Sequence, residues 1–427
     1  MPSEERPTAS LLDRTQAAFS DLPERYLGGP AGFDATYHVR IGDIGRTFEV
    51  RCTRHGARVR TGITRREPDV VIGTDAATWL RLREGELSGI DAFGEGRLYA
   101  HGDVDRALAF EGLFRLPNGR PPLLRVHDVR VPAATISTLT TGQGPDVVLI
   151  HGLGAAKTSF FPTVAALSRQ GYRVHAIDLP GFGSSSKPLT GAYDAGWFAE
   201  AVVDFLDASG IQRAHLIGNS MGGRVALEVA LRAPQRVNAL GLLSPAVAFV
   251  RRDLLPLVRV LRPELGLLPH RFTRAMVAGQ IGAMLADPDA MDPAEADVAV
   301  DEFQRVYSSA AARLAFLRSA RNIYLDRPFG PSGFYTRLGS LRPPALFVWG
   351  SHDALVPAAF RHHVERALPS AEHVLLQECG HIPQIERPEE THALLVDFLA
   401  RAEEREDATN GVARLPGRDA RRSRRAA

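Results

Sequence analysis

Three side chains far apart in the chain, Ser220, Asp353 and His381, could together carry out acyl transfer. A serine hydroxyl is a poor nucleophile until a base takes its proton in the transition state. Imidazole suits that task, because its ordinary pKa near neutrality lets it take a proton and return it. A carboxylate behind the imidazole holds the tautomer and stabilises the imidazolium. Ser220 lies in Gly218-Asn219-Ser220-Met221-Gly222-Gly223, a Gly-x-Ser-x-Gly motif. An apolar run, Ala214-His215-Leu216-Ile217, precedes it, and a helical run, Arg224 to Leu231, follows. Strand, tight turn and helix in that order read as a nucleophile elbow. The backbone strain of such a turn is of order 1–3 kcal/mol. The helix start aims free N–H groups at a developing oxyanion, and the N–H of Met221 is the expected donor. Singly, the partners are ambiguous. Asp353 could be a helix cap, and His381 a hydrogen-bonded loop histidine. Their joint order, and their place where buried strands should end, links them.

Alternating elements are needed to position these groups. From about Val126 to Ala402, strand and helix signals alternate. Val147–Ile150, Tyr172–Ile177, Ala214–Ile217, Ala239–Leu243 and Ala345–Trp349 read as buried strands. Continuous apolar strands separated by helices imply a mostly parallel sheet covered on both faces. Val126–Thr140 reads as an antiparallel hairpin at its edge. Between Ser244 and Leu341 the strand signal stops. Arg251–Leu261, Phe272–Leu285, Pro293–Tyr307 and Ala310–Tyr324 read as helices of an inserted cap spanning about 247–340. Leu267, Leu268, Met276, Ile281, Met284, Phe303, Phe316 and Tyr324 are its candidate pocket residues.

Here the chain resembles the α/β-hydrolases, on the order Ser, Asp, His, on His151-Gly152-Leu153-Gly154 after the first buried strand, and on Asp178-Leu179-Pro180-Gly181-Phe182-Gly183. The resemblance implies that Ser220, Asp353 and His381 form a catalytic triad. It also implies a second oxyanion donor, the N–H of Leu153. Serine at the elbow departs from the aspartate of dehalogenases and epoxide hydrolases of this fold. The elbow is similar to those of esterases and of carbon–carbon bond hydrolases acting on ring-fission products. Ala155-Ala156-Lys157 stands where the latter usually carry Gly-Pro-Gly.

Residues 11–116 read as a separate α+β domain. It has an entry helix at Leu11–Phe19, strands around Tyr37–Ile41, Phe48–Cys52, Arg58–Arg60 and Val70–Ile72, and a helix at Ala76–Arg83. A last strand at Arg97–Ala100 and a helix at Val104–Phe114 close it. Asp69-Val70-Val71-Ile72-Gly73-Thr74-Asp75, Trp79-Leu80 and Ala92-Phe93-Gly94 through Gly102-Asp103 resemble a sterol-carrier-protein-2 lipid-binding domain. The resemblance implies an apolar tunnel. The bland alternative is a structural or dimerisation domain. Pro117 to Pro122 reads as the core of a linker over 117–125.

Net charge is +2, but the stretch from Gly411 onward holds six arginines and one aspartate, leaving about −3 for the rest. The body therefore has no basic bias toward nucleic acid. The arginine-rich tail, 403–427, is expected to be disordered. No apolar run reaches the roughly 20 residues of a membrane span, and the start is not a signal peptide. With two cysteines, Cys52 and Cys379, in different domains, a disulfide is not expected and a cytoplasmic location fits. No cofactor and no metal is implied, and the sequence is silent on oligomeric state. The expected activity is hydrolysis of a carboxylic ester of an apolar or lipid-like substrate. The alternatives are carbon–carbon bond hydrolysis and a lipid carrier with a vestigial hydrolase half.

Overall fold

The computed structural model describes residues 10–410, apart from 30–31, 65–66, 118, 249–254, 261, 271 and 292. The first domain is a five-stranded sheet with helices on one side. Its strands are β1 (Asp34–Ile41), β2 (Arg46–Thr53), β3 (Gly56–Thr61), β4 (Val70–Thr74) and β5 (Leu98–Gly102), in spatial order β3-β2-β1-β4-β5. Only β1 and β4 pair in parallel. Helices α1 (Leu11–Ser20), α2 (Ala76–Glu84), α3 (Gly89–Gly94) and α4 (Val104–Gly112) cover it. Phe19 stacks on Phe48 and Trp79, and Phe110 leans on Tyr37 and Phe114, so α1, α2 and α4 share one aromatic core. Each helix start has its own acceptor. Asp75 takes the N–H of Thr78 at 2.7 Å, Ser88 that of Asp91 at 3.2 Å and Asp103 that of Arg106 at 3.1 Å. Helix α3 was not among the sequence expectations. Glycines at both its ends mask it, although Ser88 and Asp91 form a capping pair with Ser88 Oγ donating to Asp91 Oδ2 at 2.7 Å.

The second sheet has eight strands. They are β6 (Leu124–Val131), β7 (Ala134–Thr141), β8 (Asp146–Ile150), β9 (Arg173–Ile177), β10 (Ala214–Asn219), β11 (Val237–Leu243), β12 (Ala345–Gly350) and β13 (Glu372–Leu376). Their order is β13-β12-β11-β10-β8-β9-β7-β6. All pairings are parallel except those of β7 with β9 and β6, so the edge hairpin is antiparallel as the sequence implies. Strand β6 begins at Leu124, inside the expected linker. Helices α5 (Phe161–Arg169), α6 (Ala195–Ala208) and α7 (Met221–Arg232) follow β8, β9 and β10.

The cap after β11 contains α8 (Leu255–Val260), α9 (Arg274–Gly282), α10 (Pro293–Tyr307), α11 (Ala310–Leu325) and α12 (Phe334–Leu338). The expected helix at 251–261 lies partly outside the described residues, and α12 was not anticipated. Helix α13 (Arg361–Ala367) precedes β13, and α14 (Pro383–Glu386) and α15 (Pro388–Asn410) end the described chain. Helix α15 corrects the tail expectation. The segment from Glu403 to Asn410 is helical, continuing a helix whose Arg401 forks onto Glu372 at 2.7 and 2.8 Å. Its Glu403 reaches His215 at 3.4 Å. The remaining tail, 411–427, lies outside the described residues.

Candidate active site

The elbow follows from glycines that no other residue could replace. A Cβ on Gly222 would sit 1.9 Å from the carbonyl oxygen of Ile150, and one on Gly218 would sit 2.3 Å from Gly222. These close approaches let α7 start against β8 and β10. Ser220, wedged between, takes φ +53° and ψ −117°, a conformation L-residues rarely adopt. Its backbone is locked: the N–H donates to Leu243 O at 2.9 Å, and its carbonyl accepts from Ala246 N at 2.9 Å. Ser220 remains half-exposed to a cavity.

His381 and Asp353 come to the same end of the sheet. His381 Nδ1 lies 2.8 Å from Asp353 Oδ2, and both side chains are buried. Asp353 Oδ1 accepts the N–H groups of Leu355 and Val356 at 2.9 and 2.8 Å. Both carboxylate oxygens are thereby occupied, which fixes the ring plane of His381. The loop carrying His381 is strapped down further. His381 N donates to Met284 O at 2.7 Å, and Asn219 Nδ2 donates to His381 O at 3.1 Å. Glu386 accepts from Gly380 N, Ile382 N and Ala286 N at 2.8, 3.0 and 2.7 Å. Glu386 and Asn219 thus join the His381 loop to the cap and to the elbow. Sequence reasoning gave neither a role, since a carboxylate and an amide that bond only backbone leave no motif.

His151 organises the loop opposite. Its Nε2 accepts the N–H of Leu179 at 3.0 Å, so Nδ1 carries the proton and donates to Gly152 O at 2.7 Å. Complete burial holds its pKa below the ordinary histidine value, which keeps it neutral. Leu153 lines the same cavity as Ser220, and the N–H of Met221, first in α7, has no acceptor within its helix. Cys379, beside His381 in sequence, is buried, and its thiol is pushed up to about 12, chiefly by burial. It is a poor nucleophile there.

Ser220, His381 and Leu153 open onto a cavity of about 630 Å³, a volume suited to a small organic ligand. The cap presents helical stripes to it: Val277, Gln280, Ile281 and Met284 around α9, Val298, Glu302, Phe303 and Val306 on α10, and Phe316, Ala320, Ile323 and Tyr324 on α11. Of the candidate pocket residues, Ile281, Met284, Phe303, Phe316 and Tyr324 line it. Leu267, Leu268 and Met276 point to solvent instead, with 45%, 55% and 53% exposure. Among the described lining residues there is no lysine or arginine.

Beneath the cavity lies a charge cluster unforeseen from the sequence. The fully buried ammonium of Lys157 sits 2.6 Å from Asp105 of α4 and 2.7 Å from Asp178. Arg305 of α10 reaches the same Asp105 at 3.1 Å, and Ser184 hydrogen-bonds it as well. Burial opposes the charge on Lys157, but the two carboxylates outweigh it and hold its pKa above the usual lysine value. Neighbouring Glu302 is pushed up to about 7 by burial and by the charge of Asp105. The first domain, the eight-stranded sheet and the cap thus meet at one ion cluster.

Residues 145–388 match the alpha/beta hydrolase fold model, and the chain belongs to that family. Residues 28–115 match the SCP-2 sterol transfer family. Over 273 residues the chain is 31% identical to a pimeloyl-acyl-carrier-protein methyl ester esterase of Aeromonas hydrophila, covering 62% of this chain and 99% of the relative. It is 30% identical to a 2-hydroxy-6-oxononadienedioate/2-hydroxy-6-oxononatrienedioate hydrolase of Paraburkholderia phymatum, over 61% of this chain and 88% of that one. Among solved structures, a membrane phospholipase A superposes with a TM-score of 0.57 at 30% identity, over 70% of this chain and 89% of that chain. No helix among the described residues is long and apolar enough to cross a membrane.

Proposed function

We propose that this hydrolase cleaves the carboxylic ester of an apolar, lipid-like substrate through an acyl-enzyme on Ser220. The observation that carries the reading is that a strained, half-exposed Ser220 shares the wall of one apolar cavity with His381, which Asp353 holds at 2.8 Å. His381 Nε2 takes the proton of Ser220 Oγ as Oγ attacks the ester carbonyl. The oxyanion is met by the N–H groups of Met221 and Leu153, each donor of this kind being worth about 3–4 kcal/mol. Collapse expels the alcohol, which leaves with the proton held by His381. Water then attacks the acyl-enzyme, giving its proton to His381, and the carboxylic acid departs as Ser220 is reprotonated. Asp353 stabilises the imidazolium.

Carbon–carbon hydrolysis is the second reading, favoured by the dienedioate hydrolase relative. Such a substrate carries carboxylates, and the cavity offers no cation among its described lining residues, with Glu302 set in the wall. An anion there would stand unpaired in an apolar site, which is costly. That weighs toward a neutral ester. A panel of p-nitrophenyl esters assayed beside a ring-fission dienoate separates the readings. Ester turnover that Ser220→Ala abolishes is expected. Dienoate cleavage without ester cleavage would reverse the order. Ester turnover unchanged in Ser220→Ala, with lipid still co-purifying, would favour a carrier.

A further inference from the structure

The catalytic cavity does not end at the cap. A second cavity of about 100 Å³ lies within the first domain, walled by Ile72, Trp79, Leu98, Ala107 and Phe110 among others. Three residues line both cavities: Phe93, Phe161 and Val298. They come from three parts of the chain. Phe93 sits on α3, Phe161 opens α5 and Val298 lies on α10. Helix α3 packs on α5, and α4 packs on β6, so the two domains share this wall. All three residues are half-buried.

We propose that the two cavities form one substrate channel, in which the distal end of a long acyl chain attached at Ser220 passes Phe93 and lodges in the first domain. This rests on the ester-hydrolase reading. The α10 stripe from Val306 to Val298 runs about 12 Å, at 1.5 Å per residue, and lays an apolar track toward the junction. Beyond it the walls are mostly aromatic and aliphatic, with Arg83, His101 and Glu111 the ionisable residues among them, and a chain sheltered there leaves water. The first domain then acts as the chain-length sieve of the hydrolase. Phe93 is its specificity-determining residue, at a position no elbow or triad motif touches.

The test is a chain-length series of p-nitrophenyl esters, butyrate to palmitate, on the full chain. Phe93→Trp, which fills the junction, should lower kcat/KM for palmitate about tenfold or more while butyrate changes less than about twofold. Ala107→Leu, which shortens the far cavity, should penalise palmitate and spare octanoate. Butyrate turnover and the melting temperature report folding of both variants. Parallel changes at every chain length, or none, would overturn the channel while leaving the hydrolase reading intact. Absence of any ester turnover would instead sink the hydrolase reading. A second readout needs no turnover: in a Ser220→Ala background, methyl palmitate bearing a diazirine at its terminal carbon should label peptides within 72–110 and lose that label when Phe93→Trp is added. Label confined to 145–388, or indifferent to Phe93→Trp, would also overturn the proposal.

Discussion

The two walls of the cavity are built on opposite principles. The wall at the carboxyl ends of the strands is dense in directed bonds. Asp353 accepts three of them, Glu386 accepts three, and Asn219 and His151 each make two that fix neighbouring backbone. The facing wall, from the cap and the first domain, is a set of apolar stripes in which Glu302 is an exception. The first arrangement fixes where its side chains point, which is what the proposed acyl transfer requires. The second has shape and little direction, which suits an alkyl chain. Chemistry and selectivity are thereby separable, and substitutions in the two walls should read out differently.

The largest effect is expected in the directional wall. Asp353→Asn keeps the shape but turns His381 to the wrong tautomer, and kcat should fall about 10⁴-fold with KM little changed. Comparable loss in KM would place Asp353 in binding instead. Next is the joint between the walls. Lys157→Met leaves Asp105 and Asp178 buried without their shared cation, and should cost about 3–5 kcal/mol of stability, seen as a lower denaturant midpoint. An unchanged midpoint would mean that the cluster holds nothing together. The smallest effect lies in the facing wall. Glu302, pushed up to about 7, has a folded pKa above its unfolded value. Its contribution is therefore full below about pH 4.5 and is lost as pH rises through about 7. The melting temperature should decline across that window, and Glu302→Gln should flatten the decline. An identical slope in the variant would show that another group titrates there.

The same division explains what could be read in advance. The central strands of the second sheet, the elbow and most of the cap helices follow from apolar periodicity and from glycines whose neighbours leave no room for a side chain. Asp353 and His381 stand out by their place after buried strands, and the structure pairs the two side chains and sets His381 in the cavity that Ser220 lines. The supports are illegible because their partners are backbone atoms remote in sequence: Glu386 reaches Ala286 across the cap boundary. The facing wall is illegible for a different reason. An apolar residue at helical spacing packs equally well inward or outward. Met276 therefore looks like Ile281 in the sequence, yet it faces solvent. Phe93 escaped notice because the sequence offers it only as one residue of the lipid-carrier resemblance, whereas a short glycine-bounded helix carries it.

The most direct test of the account is the reaction of Ser220 itself. The folded chain, treated with a fluorophosphonate bearing a long alkyl group, should be labelled once. Peptide mass spectrometry should place the adduct on Ser220, with labelling slowed by about three orders of magnitude in His381→Ala. No adduct on folded protein, or an adduct on another residue that persists in Ser220→Ala, would contradict the account.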